Sequence, residues 1–192
     1  CDRRQRQMCI RDSEMEEAEE VTSLCGGLVL NLGTPNPRKV EAMLRAGREA
    51  NRMGRPVVFD PVGVGCSAFR REASSRILEQ VQLSVIRGNA SEIAALTGGE
   101  TGRCGVDADA SAASAKKSAR LLAKKTGAVV VASGAADLVT DGEALYCVHN
   151  GHPMMRTVTG TGCQLSALTG AYVAANPQNL LRAALAATCT MG

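Results

Sequence analysis

Four short apolar runs, none alternating with polar residues, constrain this chain more than any other feature. Leu28-Val29-Leu30-Asn31, Pro56-Val57-Val58-Phe59-Asp60, Ser84-Val85-Ile86 and Ala128 to Ala132 are each too short for a buried helix. Unbroken apolarity of this kind belongs to strands covered on both faces, as in a parallel sheet. Helical periodicity fills the intervals. Met15, Ala18, Val21, Thr22 and Cys25 share one face before Gly26-Gly27. Asn36-Pro37 reads as an N-cap followed by proline at the first helical position, with Val40, Met43, Leu44, Gly47 and Ala50 inward and Gly54 as the stop. Further helices are predicted over 70–82, with Ala73, Ile77, Leu78 and Val81 inward, then over 90–96, 111–125, 164–175 and 178–190. Leu138 to Thr140 and Ala144 to Val148 flank Asp141-Gly142, which predicts a hairpin with a tight primed turn. The class is therefore α/β, with a mainly parallel central sheet, helices on both faces and one hairpin.

At 192 residues the chain accommodates one such domain. Residues 1–13 show neither period and differ in composition from the remainder of the chain, so they are expected to be a foreign or disordered segment, with the domain over 14–192. The last helical pattern breaks off in Ala-Thr-Cys-Thr-Met-Gly, which suggests a fragment. With 45% hydrophobic and 21% charged residues the chain is not disordered. A net charge of +3, 2% aromatics and no Trp argue against nucleic-acid binding. No apolar run spans a membrane and no secretory signal opens the chain, so a cytoplasmic location is expected. The eight cysteines are spaced at least eight residues apart, which excludes paired Cys-x-x-Cys zinc knuckles and redox motifs. Most are expected to be small buried hydrophobes with free thiols.

In open α/β sheets ligands bind beyond the carboxyl ends of the strands. Glycines and short polar residues recur there: Asn31 to Thr34, Asp60 to Gly63, Arg87 to Asn89, and Ser133-Gly134. Such residues also make ordinary strand–helix turns. The sharpest signal is Val158-Thr159-Gly160-Thr161-Gly162-Cys163 opening onto a helix. Free backbone N–H groups at the positive end of a helix dipole form an anion site suited to phosphate, and a cysteine there suits a nucleophile or base. The same spacing suits a structural glycine turn with a buried cysteine. Asn89-Ala90-Ser91-Glu92 supports a carboxylate near phosphate that helps to hold Mg²⁺ through water, and equally a capping box. Arg87 suits a nucleotide phosphate or a surface ion pair. Gly63-Val64-Gly65-Cys66-Ser67-Ala68 imitates a dinucleotide fingerprint, but Pro61 and Val62 separate it from the strand. The sequence holds neither a P-loop nor a Gly-x-Ser-x-Gly elbow, and its only histidines, His149 and His152, suit loop-ordering roles.

In combination these segments resemble the hydroxyethylthiazole kinases, thiamine-salvage enzymes of the ribokinase-like fold. The resemblance rests on Leu30 to Thr34, Asp60 to Gly65, Ile86 to Ile93, Gly105 to Asp107, Asn150 to Pro153 and Val158 to Cys163, six motifs in order. It implies a three-layer α/β/α ribokinase-like domain that transfers phosphate from ATP, with Mg²⁺, to the hydroxyl of 5-(2-hydroxyethyl)-4-methylthiazole. It further implies Arg87 and Ser133 as ATP contacts, Ser133 standing where the family usually has Thr. Gly160 is implied as a contact to the thiazole alcohol, and the amides of Gly160, Thr161, Gly162 and Cys163 as the anion hole. Cys163 stands where related kinases carry an aspartate base and is expected to assist rather than to be indispensable. Glu92 and Asp60 are implied to organise Mg²⁺, and a homotrimer is implied, with the thiazole site at its interface. Set beside the family pattern, the chain is expected to be truncated at both ends. The runner-up reading is a hydroxymethylpyrimidine or pyridoxal-type kinase, against which the Ile86 to Glu92 run speaks. A non-catalytic nucleotide-binding fragment is the reading from outside the enzymes.

Overall fold

A computed structural model describes residues 7–10, 15–98 and 108–192. Its strands form one seven-stranded sheet in sequential order: β1 (Gln7–Ile10), β2 (Gly27–Asn31), β3 (Val57–Asp60), β4 (Val85–Asn89), β5 (Val129–Ser133), β6 (Asp137–Thr140) and β7 (Leu145–Val148). β1 to β5 are parallel, and β6 and β7 are antiparallel to their neighbours. The helices are α1 (Ala18–Ser23), α2 (Pro37–Arg52), α3 (Ala68–Gln80), α4 (Ala90–Leu96), α5 (Ala108–Thr126), α6 (Thr161–Ala175) and α7 (Leu180–Met191). Parallel strands in sequential order, joined by right-handed crossovers, must carry their helices on one face. The hairpin reverses the chain and sends α6 and α7 across the other face, which completes the three layers.

The period of two along each strand divides the interior accordingly. Leu28, Leu30, Val57, Phe59, Ile86 and Val130 share one core with buried side chains of α2 to α5. Val29, Val58, Val85, Val129 and Val131 share a second with Val173, Ala183 and Ala184 of α6 and α7. The two helical layers press closely on the strands. A Cβ on Gly27 would come within 2.9 Å of Ala174 Cβ, so only glycine lets α6 sit this low over β2.

Several boundaries differ from expectation for local reasons. Gln7–Ile10, inside the segment read as foreign, is the edge strand beside β2. Four residues are too few to display a period, and the rest of 1–13 lies outside the described residues. The Gly105 to Asp107 motif also lies outside them. α3 begins at Ala68, capped by Ser67 Oγ accepting from Arg70 N, two residues before the expected start at 70. β4 continues through Arg87-Gly88-Asn89, where polarity hides the strand from a hydropathy reading. The hairpin is present, but its turn is not the primed type, because Asp141 does not take a left-handed backbone as such turns require. Instead Asp141 Oδ1 accepts from the N–H groups of Glu143 and Ala144, making a four-residue loop. Among the five cysteines whose side chains are described only Cys25 is buried; Cys66, Cys147, Cys163 and Cys189 are exposed. Their places on a short 3-10 turn, an edge strand, a helix start and the last helix outweigh the general preference of thiols for burial.

Candidate active site

The carboxyl ends of four adjacent strands carry one polar residue each on the α6 face. Asn31 follows Val29 by two positions on β2, Asp60 follows Val58 on β3, Arg87 follows Val85 on β4, and Ser133 follows Val131 on β5. Alternation aims all four towards α6, whose first turn lies over them. Gly160 is its N-cap at φ 92°, in the left-handed region that glycine adopts without strain. The first intrahelical bond runs from Gln164 N to Gly160 O at 2.9 Å. The N–H groups of Thr161, Gly162 and Cys163 therefore have no helical acceptor, and the cap offers them no side chain. Of the four residues expected to form an anion hole, Thr161, Gly162 and Cys163 thus carry N–H groups without helical partners, and Gly160 is the left-handed residue that precedes them.

Asp60 occupies the centre. Its Oδ2 accepts from Asn31 Nδ2 at 3.0 Å and from Ser166 Oγ at 2.7 Å, and Arg87 Nη1 stands 3.9 Å away. Its Oδ1 is buried without any hydrogen-bond partner. Burial pushes the carboxyl up to about 6, against the lowering influence of Ser166, Arg87 and Asn31, while the Glu92 charge adds to the rise.

The two flanks of Asp60 differ. On the β4–β5 side, Arg87 Nη2 donates to Ser133 Oγ at 2.9 Å, and the guanidinium lies against Gly162 so closely that a Cβ there would come within 2.8 Å of Nη1. A cleft of about 510 Å³ opens at this point, lined by Arg87, Ser133, Asp137, His152, Thr161 and Gly162 among others. That volume suits a small-molecule ligand. Asp137 accepts from Gly134 N at 2.8 Å, and burial pushes its carboxyl above the usual carboxylate range. His152 accepts from Met154 N, a loop-ordering role as expected. On the β2 side, Cys163 Sγ accepts from Asn31 Nδ2 at 3.5 Å and is exposed. A wider cleft of about 740 Å³ elsewhere includes Gln82, Leu83 and Thr126, which precede β4 and β5. It lies at the amino ends of the strands, the wrong end for a ligand in such a sheet.

Glu92 shows both readings of its motif at once. Its Oε2 accepts from Asn89 N at 2.8 Å while Asn89 Oδ1 accepts from Glu92 N at 2.9 Å, a complete capping box. Its Oε1 accepts from Gly63 N at 2.8 Å and so ties the β3 loop to α4. Gly63 belongs to this tether and not to a dinucleotide fingerprint. Sequence reasoning placed Asn31 at the rim without a role, and missed Ser166 and Arg70. Asn31 leaves a signal, a lone amide ending an apolar strand. Ser166 leaves none within its helix. Nor does Arg70, whose Nη1 donates to Leu32 O and Val62 O, both at 2.6 Å, and clamps two rim loops.

Residues 8–192 match the hydroxyethylthiazole kinase family. The chain belongs to that family. It is 45% identical over 190 residues to the hydroxyethylthiazole kinase of Clostridium acetobutylicum, covering 95% of this chain and 70% of that protein. The solved hydroxyethylthiazole kinase of Pyrococcus horikoshii OT3 superposes with a TM-score of 0.79 at 38% identity, covering 90% of this chain and 63% of that one. The chain thus spans about two thirds of the length of these two relatives. A ribokinase-like superfamily protein from Enterococcus faecalis V583 has a TM-score of 0.65 at 13% identity, with 92% of this chain and 58% of that one covered, a likeness of fold. The architecture is that of the ribokinase-like kinases.

Proposed function

We propose that this chain carries the phosphoryl-transfer site of a hydroxyethylthiazole kinase, moving the γ-phosphoryl group of ATP to the hydroxyl of 5-(2-hydroxyethyl)-4-methylthiazole. The observation that carries the reading is the order of groups along the sheet: Ser133 and Arg87, then Asp60, then Asn31 and Cys163, all facing the three free N–H groups of α6. ATP is read on the Arg87–Ser133 flank, where the cleft lies, and the alcohol on the Cys163 flank near Gly160. The family match favours the thiazole alcohol over a pyrimidine or pyridoxal acceptor.

In this reading Arg87 holds the nucleotide phosphates, and Ser133 keeps its guanidinium aimed at them. The N–H groups of Thr161, Gly162 and Cys163 receive the charge that grows on the transferring group, and such preorganised donors are a principal device of phosphoryl transfer. Cys163 accepts the proton of the alcohol as its oxygen bonds to phosphorus and the bond to the leaving ADP oxygen breaks. Mg²⁺ fits beside Asp60, whose buried Oδ1 has no partner. Among the described residues no three His, Cys, Asp or Glu side chains converge on one point. The ion would be held by Asp60 together with water and phosphate oxygens, the usual Mg²⁺ arrangement, with Glu92 acting through water. When bound it supplies charge neutralisation between the phosphates. Assembly as a homotrimer completing the thiazole site, and action in the cytoplasm, belong to the same reading. The support for the latter is the use of ATP, and among the described residues no helix is long and apolar enough to cross a membrane.

The test is Mg²⁺-dependent ADP release from ATP, with the thiazole alcohol compared with hydroxymethylpyrimidine, pyridoxal and no acceptor. Release with the thiazole alcohol alone is expected. Release only with another acceptor overturns the substrate, and binding of ATP without release favours a non-catalytic module.

A further inference from the structure

Among the described residues Asn31 is the one side chain hydrogen-bonded to both Asp60 and Cys163. It is almost fully buried, 3% exposed, and every polar atom of its amide is engaged. Oδ1 accepts from Gly33 N at 2.8 Å, and Nδ2 donates one hydrogen to Asp60 Oδ2 at 3.0 Å and the other towards Cys163 Sγ at 3.5 Å. The chemistry of the partners fixes which way the amide faces. A backbone N–H can meet only the amide oxygen, and a carboxylate oxygen can meet only the amide nitrogen. The three contacts therefore form or fail together.

We infer that Asn31 is a positioning residue that, with one amide group, sets Cys163 at the start of α6 and holds Asp60 by Oδ2 so that Oδ1 stays without a protein partner. Neither partner could be placed as well without it. Cys163 sits on the first turn of α6 with its side chain exposed, and no other described side chain bonds its sulfur. Ser166 holds the same Asp60 oxygen from one turn further along α6, so Asn31 and Ser166 grip Oδ2 from two elements and leave Oδ1 outside the grip. The donor aimed at sulfur fixes its position on an otherwise open turn. The Gly33 bond anchors the amide to the β2 loop, so the placement is relayed from the sheet and not from the mobile end of a long side chain.

The inference rests on the phosphoryl-transfer reading of the site, and its test is built to separate the two. Asn31→Asp keeps the oxygen that accepts from Gly33 N and the shape of the side chain, but removes both N–H donors. Alkylation of Cys163 by iodoacetamide, followed on its own peptide by mass spectrometry at one pH, needs no turnover. It is expected to slow about tenfold in Asn31→Asp and to stay unchanged in Ser166→Ala, whose hydroxyl bonds Asp60 Oδ2 and Gly162 O of its own helix but not the sulfur. In the kinase assay kcat is expected to fall about tenfold or more, with KM for both substrates within about threefold. In a cycle with Cys163→Ala, the two losses are expected to be less than multiplicative. Equal alkylation rates in the two proteins, or losses that multiply, overturn the inference. Absence of turnover in the unmodified chain counts against the transferase reading, and the alkylation comparison then decides this one. If Asn31→Asp loses its cooperative melting transition, Asn31→Ser, small and neutral, carries the same comparison.

Discussion

Ser166 donates its hydroxyl to Asp60 Oδ2 at 2.7 Å, so the helix whose first turn faces the site also holds the carboxylate beneath it. This bond only partly offsets burial, which leaves the Asp60 carboxyl at about 6. The sign of the consequence is fixed. Between the unfolded value near 4 and the folded value near 6, the folded state holds the proton more tightly, so stability falls as pH rises through that window. Above it the charged carboxylate costs about 3 kcal/mol. Asp60→Asn is therefore expected to raise the melting temperature at pH 8, to give no gain below pH 4, and to abolish kinase turnover. Melting curves from pH 4 to 8 with parallel assays check this. Ser166→Ala, which loses a bond to the charged form, is expected to move the same window to higher pH.

Arg87 and Gly162 give a second prediction. A Cβ on residue 162 would land 2.8 Å from Arg87 Nη1, the far end of a flexible side chain that can swing aside. Gly162→Ala is thus expected to leave the melting temperature nearly unchanged while raising KM for ATP about tenfold. Gly160→Ala meets no atom within 4 Å but must hold φ at 92°, so its expected cost is one of stability, about 1–3 kcal/mol. Thermal melts and ATP titrations on the two variants separate the effects.

How much of this was legible in the sequence depends on period and contact. The unalternating strands announced the parallel sheet, and Asn36-Pro37 announced the start of α2, where Asn36 Oδ1 accepts from Lys39 N. The glycine-rich approach to α6 announced its start and the unpaired N–H groups of its first turn. Strand ends were visible as polar punctuation, yet nothing local tells which of two successive residues faces the site. That choice depends on which face α6 covers, and α6 arrives more than 100 residues after β2. Ser166 reaches Asp60 Oδ2 and Arg70 reaches Leu32 O and Val62 O, contacts made by the fold, so no spacing rule could single them out.

Glu92 joins two loops through its two oxygens, and the variants separate its roles. Glu92→Ala removes the acceptors of Asn89 N and Gly63 N together. The expected loss of stability is about 1–3 kcal/mol, the range for a lost cap combined with a backbone N–H left unpaired. Glu92→Gln keeps one amide oxygen and should recover part of it. If the carboxylate also acts on Mg²⁺ through water, Glu92→Gln needs several-fold more Mg²⁺ for half-maximal turnover although it melts above Glu92→Ala. Equal Mg²⁺ requirements would confine Glu92 to the structural tether.

Cys163 is held more lightly than a base on which all turnover depends. Its sulfur is exposed and receives a single donor, from Asn31 at 3.5 Å, whereas its backbone N–H is fixed by the first turn of α6, where the proposed anion hole lies. Cys163→Ala deletes the thiol and leaves that N–H in place. General-base assistance contributes about 10²–10⁴-fold where the base is well matched to its task. A thiol so loosely bound should sit at or below the lower end, so the expected fall in kcat is about 10- to 100-fold with KM for ATP unchanged. Cys163→Ser, with a hydroxyl too weakly acidic to stand in as an anion, should resemble Cys163→Ala. Steady-state kinetics with both substrates varied check the split. A rise in KM for ATP in either variant would show that the side chain, and not only the N–H, contributes to holding the nucleotide.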